Sequence, residues 1–305
     1  MELEIRDIHK SFGETEVLHG ISFKVESGQA LGLLGRNGAG KTTAIRILMD
    51  VFHANSGQIL IDGKPFHAAR HKIGYLPEER GLYPKRTVTD QMVFLARLRG
   101  MKKSDALKSA AKWLERLGIS EYAGRKLETL SKGNQQKVQL AATLIADPEI
   151  VILDEPFSGL DPVNSQVLKD VVNELIEIGK IVIFSSHQMN YVEEFCDSIA
   201  IIHHGQIVLS GKLSEIKRQY GQNRLMLSSS NYGATELKSK LQAEFSDILT
   251  VSGMTKTALI LNKVQDVGTN DIMRRIADSD IEIYKFGSYE PSLGDIFVDK
   301  AGDEE

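Results

Sequence analysis

The sequence passes from an apolar run into a glycine-rich segment that ends in Lys-Thr-Thr. Residues 35–42 match the pattern Gly-x-x-x-x-Gly-Lys-Thr, which is typical of a phosphate-binding loop. Residues 30–34 have the apolar character of a buried strand, and residues 43–51 have that of a helix. The segment therefore predicts a strand, a phosphate loop and a helix, rather than a glycine-rich turn that contains a lysine by chance.

The residue types in this loop suit contact with phosphate groups. Glycines let the backbone turn tightly and bring its N–H groups close to phosphate oxygens, where a Cβ would collide. The positive end of the following helix points at the same anion. Lys41 is placed to pair with the outer phosphates, and the Thr42 hydroxyl is placed to bind Mg²⁺. The predicted nucleotide-binding residues of the loop are Gly35, Arg36, Asn37, Gly38, Ala39, Gly40, Lys41, Thr42 and Thr43.

A pair of carboxylates follows a second apolar run. Residues 150–153 are all aliphatic, which predicts a parallel strand buried on both faces, and Asp154 and Glu155 come directly after them. In open α/β sheets, ligands bind at the carboxyl ends of the strands. Phosphoryl transfer needs a metal ion and a group that activates water. We therefore predict that this pair takes part in the chemistry, although an Asp-Glu pair is more often simply solvated.

Three further positions each have two explanations from the residues alone. Phe12 follows the first predicted strand, residues 3–8, and packing in the core would account for it. Ser131 begins a predicted helix that continues to residue 145, where it can cap the helix or help to bind an anion. His187 follows a buried strand, residues 181–184, and a lone histidine there is more often structural than catalytic.

Composition sets the class of protein. A length of 305 residues suggests about two domains at ~150 residues each. A hydrophobic content of 42% and a charged content of 26% are typical of a soluble globular chain. The net charge of −4, without a long basic run, does not indicate nucleic acid, and no apolar run approaches the ~20 residues that cross a bilayer. We expect a soluble protein that stays inside the cell.

Read together, the motifs resemble those of the ATP-binding subunits of ATP-binding cassette (ABC) transporters. The resemblance covers residues 2–220, in which residues 35–43 match the Walker A loop and residues 150–155 match the Walker B strand with its glutamate. Residues 158–161 match the D-loop, and His187 matches the switch histidine. Residues 130–134 match the signature Leu-Ser-Gly-Gly-Gln, from which Lys132 and Asn134 depart.

The resemblance implies two cofactors, ATP and Mg²⁺, and a role for each residue around them. Lys41 and the loop amides hold the phosphates, while Thr42 and Asp154 hold Mg²⁺. Glu155 polarises the attacking water, and His187 contacts the γ-phosphate. Glu155 and His187 are therefore the predicted catalytic residues.

The resemblance also implies contacts beyond this cluster. Phe12 matches the aromatic residue that stacks on adenine. Two cassettes pair head to tail, so the Walker A loop of one subunit faces the Ser131 helix of the other, and Gly133 and Asp161 join the predicted nucleotide-binding residues. Glu78 stands where the family usually carries a glutamine, and it is a predicted metal-site residue. The partner of the dimer is a second copy or a related ATPase subunit.

The predicted fold is α/β, a P-loop NTPase of the ABC ATPase type, with a mixed sheet and a helical subdomain at about residues 85–147. This ATP-binding domain occupies residues 1–220. Residues 221–305 follow the order β-α-β-β-α-β, which predicts a small α+β domain of the ferredoxin-like type. This second domain resembles one that follows the cassette in bacterial exporter subunits, including sodium and antibiotic efflux systems.

The resemblance implies an ATPase that converts ATP and water to ADP and phosphate and drives export through a separate membrane permease. Such a subunit is cytoplasmic and lies on the inner face of the cell membrane. One alternative is a soluble ABC-type ATPase that acts on ribosomes or nucleic acid, but those proteins usually carry two cassettes in one chain. Another alternative is a nucleotide sensor without turnover, which the intact Asp154, Glu155 and His187 argue against.

Overall fold

The computed structural model describes residues 1–79, 81–158, 160–264 and 267–301. Contacts divide the chain into two compact units. The first unit consists of Met1–Leu213 together with residues 297–301, which are the last described residues. The second unit consists of Ser214–Ile296. The predicted domain boundary at residue 220 stays a prediction.

Strands and helices alternate through most of the chain. The strands of the described residues are β1 (Glu2–Phe12), β2 (Thr15–Glu26), β3 (Gln29–Leu34), β4 (Ser56–Ile61), β5 (Lys64–Pro65), β6 (Ile73–Leu76), β7 (Ile150–Asp154), β8 (Ile181–Ser186), β9 (Ser198–His203), β10 (Gln206–Lys212), β11 (Arg224–Ser229), β12 (Leu249–Met254), β13 (Leu259–Lys263) and β14 (Ile283–Ser288). The helices are α1 (Lys41–Leu48), α2 (Val88–Leu98), α3 (Lys103–Arg116), α4 (Lys132–Leu144), α5 (Pro162–Glu177), α6 (Met189–Phe195), α7 (Leu213–Tyr220), α8 (Ala234–Glu244), α9 (Thr269–Ala277) and α10 (Leu293–Ala301).

The central sheet of the first unit determines where the site lies. Its strand order is β10-β9-β3-β8-β7-β6, and the strands from β9 to β6 run parallel, with β10 antiparallel at the edge. Every residue of β7 and β8 is buried, as expected for apolar strands that are covered on both faces. In this register Leu34 lies opposite Ser186, and Asp154 lies opposite Ser185. The segments that follow β3, β7 and β8 therefore meet at one edge of the sheet.

A second, antiparallel sheet has the order β2-β1-β4-β5. Alternate side chains of β2, namely Ile21, Phe23 and Val25, are buried in the core that this sheet shares with β3, β7, β8 and α1. The predicted strand at residues 3–8 is confirmed as β1, which is longer than predicted. The reason is that β1 and β2 pair as one hairpin out to Phe12 and Thr15, with irregularities in the register.

Side-chain caps set the starts of three helices. Thr87 caps α2 by accepting a hydrogen bond from the Asp90 N–H at 3.2 Å. Ser131 caps α4, and Asp161 caps α5, which has proline at its first position. These starts agree with the sequence pattern. The pattern did not predict β9, β10, α6 or α7, which lie between residues 189 and 220.

The second unit is an antiparallel sheet with the order β12-β13-β11-β14, and α8 and α9 supply the helices of a β-α-β-β-α-β chain order. This order confirms the predicted α+β domain. Its core lies between the sheet and the two helices. The fully buried core residues are Leu225, Leu227, Leu237, Leu241, Phe245, Leu249, Leu259, Leu261, Ile272, Ile276 and Ile281.

Within the described ranges, none of the helices combines the length and the apolar character that crossing a bilayer requires.

Because the core of the second unit lies within residues 214–296, we expect a fragment of residues 214–301 to fold alone and to melt cooperatively in circular dichroism. Leu227 is fully buried, so Leu227→Ala should lower the free energy of unfolding by ~2–5 kcal/mol. Met254 is 52% exposed, and Met254→Ala should change it by less than ~0.5 kcal/mol. A fragment without a cooperative transition would contradict the independent core.

Candidate functional site

The phosphate loop joins β3 to α1, and close contacts require glycine at two of its positions, Gly35 and Gly40. A Cβ on Gly35 would lie 2.5 Å from the carbonyl oxygen of Ile202 on β9. Gly40, at the start of α1, has φ +113°, and a Cβ there would lie 2.6 Å from a methyl group of Leu18. Larger residues at either position would push the loop away from the sheet.

Lys41 begins α1 and lies under the loop, where only 8% of the residue is exposed. Its ammonium group donates hydrogen bonds to the carbonyl oxygens of Gly35 at 2.6 Å and Arg36 at 3.2 Å. Burial lowers the pKa of Lys41, while the carboxylates of Glu155 and Asp154 act in the opposite direction. Lys41 is therefore a buried cation at the carboxyl ends of the parallel strands. The exposed Thr42 follows it in the first turn of α1.

Asp154 is the last residue of β7 and is 5% exposed. The Tyr75 hydroxyl on β6 donates a hydrogen bond to its Oδ2 at 3.2 Å. Burial raises the pKa of Asp154, and the side chains of Ser185 and Tyr75 act against that shift. Burial and the Asp154 charge raise the pKa of Tyr75 to about 12. The sequence pattern did not identify Tyr75. The one feature that could have marked it is its hydroxyl group on an otherwise apolar strand.

Glu155 lies beside His187, as the motif order predicts. Glu155 is 5% exposed and has φ +46°, a left-handed backbone that non-glycine residues seldom adopt. Its Oε1 accepts hydrogen bonds from the His187 backbone N–H at 2.8 Å and from the His187 ring, whose Nδ1 lies 2.5 Å away. Its Oε2 accepts one from the Ser186 hydroxyl at 3.0 Å. Three donors thus hold one buried carboxylate.

Ser131, Gly133 and Asp161 form a second cluster at the starts of α4 and α5. A Cβ on Gly133 would lie 2.4 Å from the amide nitrogen of Asn164, and the Asn164 side chain bonds Asp161 at 2.5 Å. Ser131 is exposed, and its hydroxyl accepts a hydrogen bond from the Asn134 N–H at 3.3 Å. Among the described residues, no hydrogen bond joins this cluster to Lys41. The predicted D-loop also contains Gly159, which lies outside the described residues.

Phe12 ends β1 at the surface, where 49% of it is exposed. Its ring meets that of Phe52 edge to face at 5.3 Å, and the Lys10 ammonium lies 5.1 Å from its centre. The explanation by core packing is therefore wrong. An exposed aromatic face of this kind can stack on a planar base.

Glu78 follows β6 and is exposed, and its charge is one of those that act on the pKa of Lys41. Gln139 on α4 holds the backbone on both sides of it. The Gln139 side-chain amide donates to the carbonyl oxygens of Pro77 at 3.2 Å and Glu79 at 3.1 Å. Gln139 is 4% exposed, and its position inside a helix gave no indication of this contact.

The oxygen atoms near Lys41 have the chemistry that Mg²⁺ prefers. Among the described residues, no three side chains of histidine, cysteine, aspartate or glutamate are grouped so that they could hold a metal ion. A site for Mg²⁺ needs fewer protein ligands than three, because this ion keeps several waters and combines one or two protein oxygens with phosphate oxygens. The Thr42 hydroxyl and the Asp154 carboxylate fit that requirement.

Comparisons with protein families agree with both units. Residues 18–158 match the family model described as "ABC transporter". Residues 211–301 match the model described as "ATP-binding protein DrrA1-3-like, C-terminal domain".

Individual relatives extend this agreement over the whole chain. The ABC transporter ATP-binding protein YhaQ of Bacillus subtilis is 41% identical over 306 residues, which covers 98% of both chains. The linearmycin resistance ATP-binding protein LnrL of the same species is 34% identical, covering 90% of this chain and 84% of its own. A solved ATP-binding subunit of an ABC transporter is 29% identical with a TM-score of 0.66, covering 72% of this chain and 94% of its own. The chain belongs to the ABC transporter family, as the ATP-binding ATPase subunit of a complex that also has permease components.

Proposed function

We propose that this subunit hydrolyses ATP with Mg²⁺ in order to drive export through a separately encoded permease on the inner face of the cell membrane. The observation that carries the proposal is the convergence of Lys41, Asp154 and Glu155, each more than nine-tenths buried, at the carboxyl ends of β3 and β7. Burial of several charged groups in one place is costly, and such clusters are typical of functional sites.

Phosphate binding would use the loop and Lys41 together. The Lys41 ammonium already lies within hydrogen-bonding distance of two loop carbonyl oxygens, so it can exchange these for phosphate oxygens without leaving its pocket. The exchange is favourable because a charge-assisted hydrogen bond to phosphate is stronger than one to a neutral carbonyl. Phe12, at the end of β1, would stack on adenine.

Mg²⁺ would be held by Thr42 and Asp154, and it would neutralise charge that develops on the phosphates during hydrolysis. Charge balance favours this assignment. Lys41 is one cation beside the carboxylates of Asp154 and Glu155, so the buried cluster carries excess negative charge while ATP is itself an anion. Glu78 would contact Mg²⁺ at the edge of the same site. Its charge also acts on the pKa of Lys41.

Glu155 would act as the general base and His187 as a γ-phosphate contact. Both oxygens of Glu155 accept hydrogen bonds in this structure, and one of these bonds comes from the His187 ring. The His187 side chain is 57% exposed and can turn toward a phosphate. Such a turn would remove one of the two hydrogen bonds to Oε1 of Glu155 and leave that oxygen able to accept a proton from water.

The second cluster would complete the site of a partner subunit in a head-to-tail dimer. Ser131, Gly133 and Asp161 lie at two adjacent helix starts, and Ser131 is exposed. Exposed N–H groups at a helix start attract phosphate. The starts of α4 and α5 would face the Walker A loop of a second copy or of a related subunit.

Export is proposed from the relatives. LnrL is named for linearmycin resistance, and two other relatives, each 33% identical, are named Nod factor export ATP-binding protein I. NatA of Bacillus subtilis, 34% identical over 201 residues, is an ABC transporter ATP-binding protein. The test is co-purification with a multi-span membrane protein encoded beside this gene, from detergent-solubilised membranes. Co-purification with ribosomes or nucleic acid in its place would favour a soluble ABC-type ATPase.

Lys41→Ala should weaken ATP binding by ~10- to 150-fold, because charge-assisted hydrogen bonds are each worth about 1.5–3 kcal/mol. Fluorescence titration with a labelled ATP analogue measures this. Lys24→Ala is the matched control, because Lys24 pairs with Glu2 on the surface of β2. Wild-type affinity in Lys41→Ala would contradict the phosphate site.

Glu155→Gln should lower single-turnover hydrolysis by ~10²- to 10⁴-fold while ATP binding survives, because the amide keeps the size of the side chain but cannot take a proton. Size-exclusion chromatography with ATP and Mg²⁺ should then show an accumulated dimer. Hydrolysis within a few-fold of wild type would remove Glu155 from the base role and direct attention to His187.

Mixing Ser131→Arg chains with Lys41→Ala chains should restore ATPase activity, because each heterodimer of the head-to-tail kind contains one site with neither substitution. Activity is measured at several mixing ratios, with each mutant alone as the control. A mixture that is no faster than either mutant would count against a shared site.

A further inference from the structure

Tyr75 takes no part in the proposed hydrolysis, yet its side chain reaches into the site. The residue lies on β6, opposite Ile152 of β7, and its ring packs against the core beneath the phosphate loop. Its hydroxyl donates to Oδ2 of Asp154 at 3.2 Å. Packing alone would be satisfied by phenylalanine, so the hydroxyl is the part that needs an explanation.

The strand that carries Tyr75 is held closely against α4. A Cβ on Gly74 would lie 2.9 Å from the Thr143 carbonyl oxygen, so only glycine allows this approach of β6 to the helix. The carbonyl oxygen of Tyr75 lies 3.2 Å from the Thr143 hydroxyl, which can donate to it. After the strand, Gln139 binds the backbone at Pro77 and Glu79. The backbone that carries Tyr75 is therefore held against α4 at the residue itself and on both sides of it.

We infer that Tyr75 is a positioning residue that orients the Asp154 carboxylate toward Mg²⁺. A carboxylate that ends a strand can rotate about its side-chain bonds, and a hydrogen bond to one oxygen limits that rotation. Because Tyr75 binds Oδ2, we assign the other oxygen, Oδ1, to the cation. Metal-binding carboxylates are commonly oriented by such outer hydrogen bonds, and loss of the partner typically costs ~10- to 100-fold in metal affinity. This inference rests on the metal role proposed for Asp154.

The experiment uses the full chain with Tyr75→Phe, which removes the hydroxyl and keeps the ring. Mn²⁺, as a probe for Mg²⁺, is titrated into the protein with ADP and followed by electron paramagnetic resonance. We expect its dissociation constant to rise ~10- to 100-fold, with nucleotide affinity in EDTA changed by less than about twofold. In ATPase assays, the Mg²⁺ concentration for half-maximal rate should rise by a similar factor, while the rate at saturating Mg²⁺ is largely retained.

Tyr232→Phe is the matched control. Tyr232 donates to Oδ2 of Asp280 at 2.6 Å in the second unit, so this substitution removes the same kind of bond away from the proposed metal ligands. It should leave Mn²⁺ affinity at the wild-type value. Tyr75→Phe could instead lower the melting temperature and weaken nucleotide binding in EDTA by the same factor as Mn²⁺ binding. In that case Tyr75 is structural and the inference is overturned.

Asp154→Asn separates this inference from the proposed function. If Asp154→Asn leaves Mn²⁺ affinity unchanged, the metal role of Asp154 is wrong. If Asp154→Asn weakens Mn²⁺ binding and Tyr75→Phe does not, the metal role stands and the positioning role of Tyr75 is overturned. The double variant should bind Mn²⁺ no more weakly than Asp154→Asn alone, because Tyr75 acts through that carboxylate. Additive losses would contradict the inference.

Discussion

The buried charge of Lys41 is the interaction on which the rest of the site depends. An ammonium group removed from water costs several kcal/mol unless opposite charges and hydrogen bonds compensate for it. Here two loop carbonyl oxygens and the neighbouring carboxylates of Asp154 and Glu155 compensate for it. They can do so only because β3, β7 and β8 are parallel and in a register that ends all three at one edge. The loop glycines serve the same end, since Gly35 allows the loop to lie directly on β9.

The same edge of the sheet holds the Glu155 carboxylate, both of whose oxygens accept hydrogen bonds, so the proposed role as a base requires one of these contacts to be released. Ser186 and His187 occupy both oxygens of Glu155, which is 5% exposed and has a left-handed backbone. The Ser186 and backbone contacts come from the end of β8, while the ring contact comes from a side chain that is more than half exposed. The exposed ring contact is therefore the one that the proposed mechanism would release when a phosphate binds.

Local patterns predicted most of this site, and non-local pairing explains what they did not predict. The phosphate loop is one continuous segment, and Asp154 and Glu155 are marked by the strand that precedes them. The contact between Tyr75 and Asp154 joins residues 79 positions apart, because it depends on β6 being the neighbour of β7. No periodicity in either strand encodes that pairing. The strands β9 and β10 were missed for a related reason, since the functional motifs end at His187 and the following apolar run carries no polar signal.

Helix α4 connects the two clusters that the sequence treats as separate motifs. It begins at the Ser131 cap and touches Asn164 through Gly133. Near its other end it contacts β6 through Thr143 and the segment after β6 through Gln139. These contacts are spaced along a single rigid helix with a span of ~18 Å at 1.5 Å per residue. On β6, the Tyr75 hydroxyl in turn bonds the Asp154 carboxylate. A continuous chain of packed and hydrogen-bonded contacts therefore runs from the surface proposed for the partner subunit to the carboxylate proposed to hold Mg²⁺.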